Sequence, residues 1–163
     1  MNEFKKRGYL LLNETRCLPG VPSEARMRKG PVAVIECAEN IPCNPCESSC
    51  ARHAIHVGTP ITQLPRLDEN ACIGCGVCVA HCSGQAIFIV DKSREKARLS
   101  FAYEFLPLPE IGDCVDAANR AGEVVGKAEV IGIRNPESYQ QTPVVTIEID
   151  AALADEVRAI ARR

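Results

Sequence analysis

Residues 72–82 read CIGCGVCVAHC, with cysteines at 72, 75, 78 and 82 and gaps of two, two and three residues between them. Three thiols so close together must share one tight loop. Gly74 and Gly76 suit such a loop, because wrapping a compact inorganic group demands close backbone approach and unusual φ/ψ values. Amides exposed in the loop can donate to anionic sulphur. The spacing is that of a [4Fe–4S] ligand run. A structural zinc site is the bland alternative, but zinc usually takes its ligands as two separated pairs, and three on one loop fit that pattern badly.

An irregular copy precedes it. Cys37, Cys43, Cys46 and Cys50 have gaps of five, two and three residues. When the last three are matched to the regular run, its first position falls on Asn40, a poor iron ligand. The stretch 38–42 can instead bulge so that Cys37 supplies the missing thiolate. Starting the match at Cys43 and Cys46 would require Ser49 and His53 and would waste both Cys37 and Cys50. The fourth cysteine of such a run follows a helical turn and points away from its own loop, and in two-cluster ferredoxins it serves the other cluster. The expected sets are therefore Cys37, Cys43, Cys46 and Cys82 for one [4Fe–4S] cluster, and Cys72, Cys75, Cys78 and Cys50 for a second. Cys17 and Cys114 are left as plain thiols. His53 and His81, near the runs, are read as surface or packing histidines.

Ten cysteines in 163 residues point to an oxidising compartment or to metal. The N-terminus, MNEFKKRGYLLLNETR, lacks the apolar core of roughly 7–15 residues that a secretory signal needs. No run approaches the roughly 18 apolar residues of a membrane span. A reducing cytoplasm is the expectation, and there disulfides give way to metal and redox sites. The net charge of −2 leaves no electrostatic footprint for nucleic acid. The basic runs Lys5–Arg7 and Arg26–Lys29 read as solvated faces.

The chain divides into an extended N-terminal arm (1–30), a cysteine-rich domain (31–94) and a C-terminal part (95–163) with only Cys114. Strands are expected at 31–36, 54–57 and 86–90, with a further one near 61–64 and a short helix around 46–53. An internal repeat, C-x3-A-I, occurs at Cys50–Ile55 and Cys82–Ile87, each copy leading into a strand. In the last part 97–105, 124–133 and 143–149 are β-prone, and 119–122 reads as a turn. Asp150 can cap a helix in which Leu153, Val157 and Ile160 share a face. The expected class is α+β: a two-[4Fe–4S] ferredoxin-like domain, then a small β-barrel or sandwich with a C-terminal helix.

Residues 43–90 resemble the bacterial two-[4Fe–4S] ferredoxin domain, although the usual Pro after each fourth cysteine is replaced by Ala51 and Ser83. More of the chain resembles the small iron–sulphur subunits of FAD-dependent amine and amino-acid dehydrogenases, such as the dye-linked proline and hydroxyproline enzymes. The segments that carry this are GPVAVIECAENIPCNPCE, LPRLDENACIGCGVCVAHCSGQAIF, YEFLPLPEIGD and TPVVTI. The resemblance implies a hetero-oligomer in which a partner subunit holds FAD or FMN and the substrate, while this chain relays electrons. The chain has no dinucleotide fingerprint, P-loop or nucleophile–base pair, so no catalytic residue is assigned. A free ferredoxin-like carrier and a zinc-stabilised interaction module are the competing readings.

Overall fold

Val32, Ala33, Val34 and Ile35 form an unbroken apolar run, and all four are buried in strand β1 (Val32–Ile35) of a computed structural model describing residues 3–161. A strand covered on both faces has no solvent side and so loses the usual alternation. Its antiparallel neighbour β4 (Ile87–Asp91) is likewise buried throughout, in the register Val32↔Val90 to Ile35↔Ile87. The two-residue period sorts their side chains. Val32, Val34, Phe88 and Val90 join one apolar core with Leu99, Val130 and Ile147. Ala33, Ile35, Ile87 and Ile89 face the other way, onto Cys46, Cys78, Val79 and Ile55.

From β4 the chain turns directly into β5 (Lys96–Ala102), and β6 (Cys114–Asn119), β7 (Val124–Arg134), β8 (Val144–Asp150) and β9 (Val157–Ile160) extend the same sheet. Its order is β1-β4-β5-β8-β7-β6-β9, every described pairing is antiparallel, and β9 comes back into contact with β5. A separate pair, β2 (Ile55–His56) and β3 (Arg66–Leu67), lies among the cysteine loops. The helices are single turns: α1 (Glu3–Arg7), α2 (Leu12–Thr15), α3 (Glu24–Met27), α4 (Pro45–Ser48) and α5 (Val77–Ala80).

Four expectations need correction. The boundary at 94/95 falls inside the β4–β5 hairpin, so the cysteine-rich part and the β-rich part share one sheet and one core rather than forming two bodies. The C-terminal helix is absent among the described residues. Asp150 does accept a hydrogen bond from the Ala152 amide, but only the 3-10 turn Ala151–Leu153 follows before β9. Val157 and Ile160 are β-branched and bury on the open edge of β6, which outweighs the helical leaning of the alanines. Arg162 and Arg163, the end of that expected helix, lie outside the described residues, as do Met1 and Asn2 of the arm.

The arm is not extended. Its three single-turn helices lie on the rest of the chain, where Gly20 accepts from the Ile35 amide and Pro19 from the Leu67 amide. The expected strand near 61–64 is a turn, closed by the Gln63 amide donating to Pro60 and held between prolines 60 and 65. β2 pairs instead with Arg66–Leu67.

Candidate metal centre

Two of the single-turn helices, α4 and α5, each carry one cysteine toward the interior. Cys46 on α4 and Cys78 on α5 are buried; the cysteines flanking them lie on the loops around. Cys72, Cys75, Cys78 and the distant Cys50 line one pocket, backed by Ala33, Ile55 and Ile89, which encloses about 340 Å³ including its mouth. At the other end, Cys37 follows β1 within electrostatic reach of Cys82 and Cys43. No disulfide bridges the described cysteines. Nor, among the described residues, does any group of three or more His, Cys, Asp or Glu converge on a single-ion position.

The thiols sense one another. Burial pushes the Cys78 thiol strongly up, and the negative fields of Cys72, Cys75 and Cys50 add to it, with Cys46 last. Cys46 is pushed up to about 11, first by burial and then by Cys82, with Cys43 and Cys37 adding to the effect. Cys37 is raised by burial first, then by Cys82 and Cys43. Cys78 thus feels Cys50 of the first run ahead of Cys46, and Cys46 and Cys37 feel Cys82 of the second. Thiolates forced together in this way are stabilised by a cationic metal group that takes them all as ligands.

Amides complete the sulphur environment. The Ala54 amide donates to Cys50 Sγ at 3.3 Å, and the Ala86 amide donates to Cys82 Sγ at 3.4 Å. These are equivalent positions of the C-x3-A-I repeat, so the repeat encodes an N–H···S bond followed by a buried isoleucine. A third donor, the Ala33 amide of β1, reaches Cys72 Sγ at 3.4 Å. Nothing in the spacing of the cysteines signals that one.

The second loop is pressed against β1. A Cβ on Gly74 (φ +65°) would lie 2.5 Å from the Pro31 carbonyl oxygen, and Gly76 (φ +82°) starts α5 from the left-handed region. Arg26 holds the same junction: its guanidinium donates to the carbonyls of Glu69 (2.8 Å), Gly30 (3.1 Å), Pro31 (3.1 Å) and Cys72 (2.6 Å). The basic run 26–29 is therefore not simply a solvated face. Gly74→Ala is expected to disrupt this loop, since it adds both a clash with backbone and a strained φ. The mutant should take up less iron than the wild type on anaerobic reconstitution. Full iron content would show that the loop tolerates a side chain.

At the irregular run, the Asn40 side-chain amide donates to the Thr62 carbonyl at 3.0 Å and the Cys43 amide to the Ile61 carbonyl at 3.2 Å. The stretch 38–42 is thus tied to the 59–64 turn, with Asn40 serving as the tie. His53 is exposed, with φ +49°. The His81 Nδ1 lies 2.9 Å from the Val77 carbonyl oxygen, and its ring meets Tyr139 edge-on. Cys17 is exposed beside the Asn13 carbonyl, and Cys114 is exposed at the start of β6.

Around the second loop sequence reasoning misses two further residues. Arg134 of β7 donates to the Cys75 carbonyl at 2.6 Å, and its guanidinium lies over the Tyr139 ring. Burial raises the pKa of the Tyr139 phenol, opposed by Arg134 and reinforced by Cys75 and Cys78.

Residues 65–88 match the family of 4Fe–4S binding domains. Protein Pixie of Drosophila melanogaster is 32% identical over 83 residues, which cover 46% of this chain and 13% of that protein. An uncharacterised ferredoxin of Methanocaldococcus jannaschii is 31% identical over 101 residues, covering 60% of this chain and 62% of the ferredoxin. The matched region is thus less than two thirds of either relative. No solved structure matches the chain significantly. With four thiols, two positive-φ glycines and sulphur-directed amides converging there, the chain carries a ferredoxin-like 4Fe–4S binding domain over 65–88.

Proposed function

We propose that this chain is an electron-transfer subunit holding two [4Fe–4S] clusters and working with a flavin-dependent dehydrogenase that oxidises an amine or an amino acid. The first cluster is assigned to Cys37, Cys43, Cys46 and Cys82, the second to Cys72, Cys75, Cys78 and Cys50. The observation that carries the count is that Cys50 lines the pocket of Cys72, Cys75 and Cys78, while Cys37 and Cys46 at the other end each feel Cys82 and Cys43. A bound cluster supplies one-electron exchange. The chain's own part is to supply thiolates, direct the amides of Ala33, Ala54 and Ala86 at their sulphurs, and keep water from the inner faces with Ile35, Ile55, Ile87 and Ile89.

Each site also has an apolar rim open to solvent. Ile41 and Ile61 are 51% and 42% exposed near Cys43, and Ile73 is 56% exposed beside Cys72. Two such rims suit a relay that meets a donor at one end and an acceptor at the other. The flavin partner and the substrate class rest on the segments resembling the small subunits of amine and amino-acid dehydrogenases, with FAD or FMN held by the partner. No helix among the described residues is long and apolar enough to cross a membrane, and oxygen-sensitive thiolate sites suit the reducing cytoplasm.

A second reading, a free ferredoxin-like carrier, is favoured by the likeness to an archaeal ferredoxin. Anaerobic purification from the native source separates the two. Co-purification with a flavoprotein that reduces a dye when given an amine or amino acid is the expected result. An iron-loaded monomer with no flavoprotein would leave the carrier reading, and a colourless, zinc-containing protein would overturn both.

A further inference from the structure

The two copies of the C-x3-A-I repeat close the same turn. In the first, the His53 amide donates to the Cys50 carbonyl at 2.9 Å, and His53 has φ +49°. In the second, the Gln85 amide donates to the Cys82 carbonyl at 2.9 Å, and Gln85 has φ +50°. Each turn then directs an alanine amide at the cysteine sulphur. Their formal charge differs at one position, which is Arg52 in the first turn and Gly84 in the second. A Cβ on Gly84 would meet nothing within 4 Å, so packing does not require glycine there. Because the turn closes equally well round a glycine, it does not require arginine either.

Arg52 stands at the mouth of the second site. It lines the pocket of Cys50, Cys72, Cys75 and Cys78, where it is the only lysine, arginine or carboxylate among the described residues. It is exposed and has no hydrogen bond or ion pair among them. The same pocket is lined by Cys75, which is exposed, and by Ile73, 56% exposed. A second guanidinium, that of Arg134, is fixed on the Cys75 carbonyl at 2.6 Å, with no carboxylate partner among the described residues.

The first site is built differently. Gly84 and Cys37 line one cleft, whose charged residues Glu36, Glu39, Arg120 and Arg158 are all held in ion pairs within the chain. Two four-thiolate sites have the same negative charge to compensate, yet only the second carries an uncommitted cation. A solvated arginine without a partner adds little to the stability of the fold. Its field instead reaches outward, where it can guide an approaching anionic surface.

We infer that the mouth of the second site is the docking surface for a redox partner that presents carboxylates around its own redox centre, with Arg52 steering the encounter. This rests on the electron-transfer reading above. Arg52 and Arg134 supply the complementary charge, and Ile73 supplies apolar contact between them and the partner. Exchange moves one electron between the second cluster and the partner's centre, and no bond is made or broken in this chain. A charge at the rim of such a contact acts on the association rate and its salt dependence.

The test uses the full chain, loaded with iron anaerobically, reduced with dithionite and mixed by stopped flow with either of two haem proteins. One is an acidic cytochrome with carboxylates around its haem edge; the other is a basic cytochrome c. At about 0.05 M salt, Arg52→Glu should slow electron transfer to the acidic cytochrome by about tenfold and speed transfer to the basic one. The two changes should shrink together as salt rises to about 0.5 M. They should persist in a Cys37→Ala background, where only the second site is loaded. Arg52→Gly should show a smaller loss with the acidic cytochrome and keep its full iron, because the equivalent turn already closes round Gly84.

A change of the same sign with both cytochromes would mean that Arg52 acts on the potential of the site, and would overturn the inference. Unchanged rates, or loss of iron in Arg52→Gly, would overturn it as well. If the iron-loaded wild-type chain passes electrons to neither cytochrome, the electron-transfer reading itself fails, and this inference with it.

Discussion

Cys37→Ala should retain about half the iron of the wild-type protein, the cluster on Cys72, Cys75, Cys78 and Cys50 surviving with its own spectrum. Asn40→Ala should keep all of it. The contrast tests whether the irregular run is complete. Counting back three positions from Cys43 lands on Asn40, yet the Asn40 amide is committed to the Thr62 carbonyl, while Cys37 shares its field with Cys82 and Cys43. Removing Asn40 therefore costs one exposed loop hydrogen bond, whereas removing Cys37 takes a thiolate from a set of four. Iron analysis and electron paramagnetic resonance on the two reconstituted mutants decide the matter. Full iron in Cys37→Ala would refute the ligand assignment, and loss of iron in Asn40→Ala would move the ligand to residue 40.

Glu36→Gln should destabilise the fold by roughly 3–5 kcal/mol, the usual cost of leaving a buried charge partnerless. Glu36 ends the buried stretch of β1, immediately before Cys37. Its carboxylate takes a bidentate pair from Arg120 (2.6 and 2.8 Å) and a third bond from Arg158 Nε at 2.8 Å. Its side chain is 6% exposed, against 10% for Arg120 and 8% for Arg158. With glutamine at position 36, two buried guanidiniums would face a neutral amide. Arg158 is the worse placed, since burial already depresses its pKa.

The same triad fixes a pH dependence. Burial works to raise the Glu36 pKa, but Arg120 and Arg158 outweigh it, and the carboxyl is held below its ordinary value of 4.5. A carboxylate with a depressed folded pKa contributes stability that is fully present above its unfolded pKa. That stability is lost as the pH falls through the lower folded value. Wild-type unfolding free energy should therefore decline below about pH 4.5, and the Glu36→Gln protein should show a shallower decline from a lower starting point. Denaturant titrations at pH 7 and in the acid range measure both. Parallel acid limbs would mean that Glu36 is not the group responsible.

The sheet and the thiol positions were largely readable, for identifiable reasons. The segments 32–35, 87–91, 124–134 and 144–150 are rich in β-branched residues, and packing agrees with local preference in each. The regular cysteine run is read by spacing alone, because four ligands on a short segment leave few geometries. The failures share a different cause. Ala151–Leu153 has helical composition, yet β9 forms because Val157 and Ile160 find the open edge of β6, a partner more than thirty residues upstream that no local pattern announces. Arg26, Arg134 and Tyr139 act on the second loop through folding alone; in the sequence they look like any surface arginine or packed aromatic. The C-x3-A-I repeat was visible, but its purpose, an alanine amide directed at the cysteine sulphur, is a backbone property that side-chain identity only permits.

The two-faced ribbon of β1 and β4 also orders events in time. Its residues meet across a long separation, Val34 opposite Phe88, and one face closes the thiol pockets while the other closes the C-terminal core. During synthesis, all eight clustered cysteines emerge before the strands that cover the far side of that ribbon. A chain paused after residue 91 would hold all eight clustered thiols and yet lack five of the sheet's seven strands, β5 to β9, which supply the core behind β4. Acquisition of iron and completion of the sheet thus converge on the same pair of strands. The order in which they happen decides whether the newborn thiols meet metal or oxidant first.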